Sequence, residues 1–267
     1  MMMGRVASGI VILSVLVSCR ASQSDRARYS SEEMLVKPVP AVHSPLIQRN
    51  RPYPDLLKRQ VMAVYQAKNR LKAANRASRG KELAQECLKN IAKQERRQER
   101  ERPFKESVLA YQAPCAYYHI VLTGLYYKYH VLGYQSGLAS MVDEAQALIA
   151  LDPSYEDGGV YRVLGSIYLN APSFSFKPKA ILKDLDTAYT YAQSALTLAP
   201  QNPENLLLLA KILWEKQNYI DAHRYFKASL ERLPRKNAYQ KRERELMKEA
   251  KRYLDELSEH LPSAPSF

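Results

Sequence analysis

Glycine is scarce in this chain, nine residues in 267. So few flexible turn formers suit packed helices and serve a turn-rich β fold poorly. No glycine-rich loop is spaced to cradle phosphate, no serine or cysteine sits in a nucleophile motif, and no His-Glu spacing suits a metal. His119 and His130 fall on nearly one face of a single helix, but about three turns apart, too far to share a metal ion. The chain is therefore expected to be no enzyme and to need no cofactor. Long apolar runs are missing as well. Val11-Ile12-Leu13-Ser14-Val15-Leu16-Val17 is too short to span a bilayer as a stable helix. Cysteine numbers three. Cys19 closes the apolar run. Cys87 and Cys115 can form a disulfide in an exported chain, but the sequence favours two buried thiols.

What is present begins with the N-terminus. Arg5 and the short apolar core make residues 1–18 a secretory signal. Leu16-Val17-Ser18-Cys19 resembles the bacterial lipobox, in which the cysteine is acylated and becomes the mature N-terminus. Arg20 follows where inner-membrane retention would call for Asp, so the expected address is the outer membrane, facing the bacterial periplasm. Residues 19–52 read as a disordered tether, polar at first and then broken by Pro38, Pro40, Pro45 and Pro52. The formal charge is +13. For an exported lipoprotein that charge points away from nucleic acid, and towards anionic headgroups, an acidic partner or plain solvation.

Helical periodicity dominates the rest. Leu56, Leu57, Val61, Val64, Tyr65 and Leu71 mark a first helix to about residue 77, and Arg79-Gly80 is expected to break it. Leu83, Cys87, Leu88 and Ile91 mark a second. This pair, residues 53–102, reads as a capping hairpin or degenerate repeat, its charged end a solvated face. A short helix is expected over 107–112, with Pro114 opening a long one to Leu132. Tyr117, Tyr118, Tyr126, Tyr127 and Tyr129 on that helix either pack in a core or line a groove. Gly133 and Gly137 are expected to bracket a loop before a helix over 139–151.

Repeat arithmetic then becomes informative. Ala188 precedes Pro200, and Ala222 precedes Pro234, by the same twelve positions, and Met141 stands at the matching place before Pro153. Pro200 to Pro234 spans the 34 residues of a tetratricopeptide repeat. Leu206, Leu209, Ala210 and Leu213 fill its first helix, and Ala222 and Phe226 its second. The preceding unit opens at Gly158-Gly159 and carries an insertion over 170–179, where Phe174 and Phe176 either pack on the body or face a partner or an apolar ligand. Residues 237–259 read as a solvating last helix and 261–267 as a tail. The fold class is all-α: tetratricopeptide-like helical-hairpin repeats forming a short solenoid.

The run Ser154-Tyr155-Glu156-Asp157-Gly158-Gly159-Val160-Tyr161-Arg162-Val163-Leu164-Gly165, then Tyr168-Leu169-Asn170-Ala171-Pro172, then Ala199-Pro200-Gln201-Asn202-Pro203-Glu204-Asn205, resembles the TatT family of tetratricopeptide lipoproteins associated with TRAP-type transporters. The resemblance covers roughly residues 107–257. The family commonly has Gly-Asp before Lys-Ala, where this chain has Phe176-Lys177-Pro178-Lys179-Ala180. The resemblance implies a periplasmic lipoprotein that assembles as a homo-oligomer, associates with a periplasmic solute-binding protein and helps pass a small, hydrophobic ligand. The alternative is a scaffold for another envelope protein. Tyr126, Tyr129, Tyr161, Arg162, Tyr168, Phe174, Phe176 and Asn205 are the candidate groove or loop contacts.

Overall fold

A computed structural model describes residues 53–98, 105–130, 134–233 and 241–258. The expected signal segment, Cys19, the expected tether and the tail lie outside the described residues, as does Gly133. The described residues form nine α-helices and no strand: α1 Tyr53–Tyr65, α2 Arg70–Gln98, α3 Lys105–Tyr129, α4 Tyr134–Leu151, α5 Tyr155–Asn170, α6 Leu185–Leu198, α7 Pro203–Glu215, α8 Tyr219–Arg232 and α9 Lys241–Leu257. Neighbours in sequence pack as helical hairpins, and the hairpins stack into an all-α repeat solenoid.

The helices start where their sequences supply caps. Asp184, Asn202 and Asn218 each accept hydrogen bonds from first-turn amides of α6, α7 and α8. Each such cap contributes about 1 kcal/mol. Pro203 follows Asn202 at the first helical position, where its missing N–H is no loss. The small repeat residues sit where helices come closest. Ala188 and Ala222 are fully buried, as is Phe226. A Cβ on Gly165 would lie 2.9 Å from Leu208 Cδ2 and 3.3 Å from the Ala188 carbonyl.

Two apolar clusters run through the solenoid. One joins α1 to α5 around Leu57, Ile120, Leu122, Leu148 and Leu164. The other joins α5 to α9 around Leu209, Ile212, Phe226, Ala250 and Leu257. The described residues form one compact unit, so the N-terminal hairpin is continuous with the repeats. The helical row bends until α9, packed on α8, also touches α1.

Four expectations are corrected. The chain turns at 66–69, not at Arg79-Gly80, and α2 passes straight through Gly80. Glycine lets α3 approach closely there: a Cβ would lie 2.7 Å from Leu122 Cδ2 and displace that side chain. Pro114 lies inside a continuous α3 rather than at the start of a helix. It is buried between Ala113 and Cys115, so tertiary packing offsets the hydrogen bond that proline cannot donate. Gly137 is helical in α4, under the Tyr127 ring, which leaves no room for a Cβ. Finally, Cys87 and Cys115 are bonded to each other, with Cα atoms 6.0 Å apart, and pin α2 to α3. Two helices running side by side bring these cysteines within bonding reach, which a separation of 28 in sequence does not reveal.

Candidate cleft and its ion-pair bridge

The entry to α5 is the most unusual backbone in the molecule. Glu156, Asp157 and Gly158 have φ values of 51°, 59° and 75°, three left-handed residues in a row. The two that carry side chains each cost roughly 1–2 kcal/mol. Their neighbours hold them there. Arg162 Nη2 donates to the Glu156 carbonyl (3.1 Å), and Asn205 Nδ2 donates to the Asp157 carbonyl (3.0 Å). Asn202 Nδ2 donates to the Asp157 carboxylate (3.0 Å). Lys58 Nζ (3.0 Å) and the Tyr118 hydroxyl (2.7 Å) both donate to Glu156 Oε1.

That turn fixes one wall of a cleft of about 880 Å³. Side chains from α1, α3, α4, α5, α7 and α9 line it. Val61, Met62, Ile120, Leu125, Met141, Ile167 and Leu207 supply apolar surface, and Tyr65, Tyr117, Tyr118, Tyr127 and Tyr134 supply rings. Five lysines and arginines face five glutamates along the same walls, so the lining as a whole is close to neutral.

Glu204 is the hinge of the charged part. It sits in the first turn of α7, where the helix dipole favours a carboxylate. Its Oε2 lies 3.3 Å from Arg162 Nε on α5. From α9, Arg242 grips it with both ends of the guanidinium, Nε to Oε1 at 2.9 Å and Nη2 to Oε2. Arg242 also lies 4.6 Å over the Tyr65 ring on α1. Burial raises the Glu204 pKa, but the attraction of Arg242 and Arg162 outweighs it and the net shift is downward. For Arg242, burial works against the charge, and Glu204 more than restores it. Burial raises the Tyr65 and Tyr117 phenols, which therefore stay protonated as neutral donors at ordinary pH. One Arg-Glu-Arg bridge thus joins α5, α7 and α9 beside an aromatic wall. The cleft can surround an apolar body and offer hydrogen bonds at its edges.

The sequence candidates divide sharply. Arg162 lines the cleft. Asn205 is fully buried beneath it: it accepts from Arg162 Nη1 at 2.6 Å and donates to the Ala195 and Ala199 carbonyls as well as Asp157. It is a brace for the turn. Tyr161 and Tyr168, one heptad apart, lie on the other side of α5 and stack on Tyr191 of α6. Tyr126 stacks on His130 at 4.2 Å, with Lys81 over its ring. Tyr129 is half-buried against the first core cluster, and neither it nor Tyr126 lines the cleft. His119 is paired with Glu144 at 2.6 Å. Phe174 and Phe176 lie in the exposed loop between α5 and α6 and do not line the cleft.

Glu204 and Arg242 were not candidates. Glu204 looks like an ordinary first-turn acid, and Arg242 belongs to the charged face of a last helix. Only the bend that brings α9 to α1 turns that face inward. Among the described residues no group of three or more His, Cys, Asp or Glu is placed to hold a metal ion, and no helix is long and apolar enough to cross a membrane. No family model and no curated protein matches the chain.

Proposed function

We propose that this chain is a lipid-anchored tetratricopeptide-type binding protein of the bacterial periplasm, held to the outer membrane through Cys19. Its resemblance to the TatT family suggests the part: the component that works with a periplasmic solute-binding protein in TRAP-type transport. The cleft is where a small amphipathic ligand would be received. The observation that carries this reading is the cleft itself, about 880 Å³ walled by tyrosine and aliphatic side chains, with its lysines, arginines and glutamates balanced in charge and gathered in ion pairs such as Arg162–Glu204–Arg242. Small-molecule sites are commonly concave, mostly apolar, roughly 300–1,000 Å³ in volume, and polarised at a few fixed points.

The test is crosslinking in intact envelopes followed by purification of the full chain, with identification of the crosslinked protein and of any small molecule that travels with it. The expected result is a solute-binding protein and an amphipathic ligand, the latter lost when Met62 and Val163, half-buried on the cleft wall, are both changed to Asp. Recovery of envelope assembly factors alone, with an empty cleft, overturns the reading in favour of a scaffold.

A further inference from the structure

The loop between α5 and α6 is the one place among the described residues where two phenylalanines face solvent together. Phe174 is 66% exposed and Phe176 93%. Their rings touch each other edge to face, 4.6 Å between centroids at 83°. Leu182, 40% exposed, adds a third apolar side chain to the same loop. The loop is not a loose thread. Lys183 N donates to the Pro172 carbonyl at 3.0 Å and Asp184 N to the Tyr168 carbonyl at 3.1 Å, which ties its two ends together. Within it, Lys177 N donates to Ser175 Oγ, and Lys179 takes a left-handed turn at φ 58°. A closed loop whose ends meet, holding apolar groups outward, is a shape that often carries function.

Its charge says what would cover it. From Ala171 to Leu182 there is no acidic residue, and Lys177 and Lys179 are both exposed beside the rings. Lys183, at the base, is paired with Glu215 at 2.6 Å, and Asp184 is occupied capping α6. Protein interfaces deplete lysine from their apolar centres, whereas bilayer interfaces pair apolar rings with lysines that reach back to anionic headgroups. An irregular backbone cannot enter the hydrocarbon itself, so the rings would go in and the peptide groups stay at headgroup depth. We infer that Phe174, Phe176 and the flanking Lys177 and Lys179 form a spur that docks the domain onto an anionic lipid bilayer. This contact is separate from the acyl anchor expected at Cys19. It orients the solenoid on the membrane, and it holds whether or not the cleft takes a ligand.

A reporter inside the loop tests this in the full, lipid-anchored chain. The chain has one tryptophan, Trp214, packed against Tyr219 and Tyr253 and so a built-in reference. Phe176→Trp is reconstituted on vesicles of phosphatidylethanolamine with phosphatidylglycerol, and separately of phosphatidylcholine, each carrying lipids brominated on the acyl chains. The expected result is quenching well beyond that of Trp214 in the unaltered chain, on the anionic vesicles only. Adding Lys177→Gln or Lys179→Gln should lower the ratio of inserted to free loop about fivefold each, the contribution of one surface lysine. Quenching no greater than that of Trp214, or equal on both vesicle types, overturns the inference. So does an emission shift that follows protein concentration without lipid, which would mean a second copy. A shift that needs added lipid-free envelope protein overturns it too, because the partner would then be a protein.

Discussion

Asn205 shows how much one buried amide can fix. It accepts from Arg162 and donates to the carbonyls of Asp157, Ala195 and Ala199, so it joins α5, α6 and α7 at a single point. Asn205 is itself fully buried, so Asn205→Ala removes these bonds, and leaving buried polar groups unmatched costs about 1–3 kcal/mol. Urea unfolding should show a midpoint lowered accordingly. Asn205→Asp should not rescue it, since a carboxylate restores the bond to Arg162 but cannot donate to carbonyls. Glu204 makes a prediction in pH. Its pKa is held below the ordinary 4.5 when folded. A depressed carboxylate contributes stability that is present above that ordinary value and lost as pH falls through the folded one. Glu204→Gln should therefore be less stable than the parent at pH 7, and the gap should close as pH falls below about 4.5. Glu144 and Asp184 are shifted the same way and remain in both chains, so the difference between the two isolates Glu204. Acid unfolding curves of parent and variant give the measurement; a gap unchanged down to pH 3 would mean that it owes nothing to the charge of Glu204.

At the level of elements, the disulfide fastens α2 to α3, and its contribution follows from the loop it closes. For 28 residues the chain-entropy argument gives roughly 3–4 kcal/mol. Cys87→Ala should lower the unfolding free energy by that amount under non-reducing conditions, and reductant should lower the parent towards the variant while leaving the variant where it is. The elements themselves were largely legible. Apolar spacing placed most of the helices but ran α1 into the start of α2 and divided α3 at Pro114, whereas the proline-to-alanine intervals located the two C-terminal hairpins, because in those units the local pattern and the packing agree. Helix ends were misjudged at Gly80, Pro114 and Gly137, the residues that normally punctuate a chain. Each is buried against a ring, an aliphatic side chain or a neighbouring cysteine, and close packing outweighs a residue's poor helix propensity. The cleft was legible only in part. Arg162 came from a motif, but the tyrosines that looked like groove residues split between faces of their helices, and periodicity does not say which face meets a ligand.

The whole molecule depends on a long-range closure that no local pattern encodes. α9 is anchored at its far end, where Ala250 and Leu257 are fully buried and Tyr253 stacks on Phe226 at 4.8 Å. At its near end Arg242 reaches both Glu204 on α7 and the Tyr65 ring on α1. The near end of α9 therefore behaves as a latch on the cleft. Arg242→Ala leaves Glu204 with Arg162 and uncovers Tyr65, yet keeps the apolar seat of α9 on α8. Amide hydrogen exchange should then rise together in α1 and in the first turns of α9, with α7 and α8 still protected, since exchange reports local opening free energies. Arg242→Lys should restore little, because a lysine cannot take both carboxylate oxygens and lie flat on a ring. Faster exchange in α9 with α1 unchanged would show that the two ends of the solenoid are not coupled. Faster exchange throughout α7 and α8 would show that the bridge stabilises the fold as a whole and is not a latch.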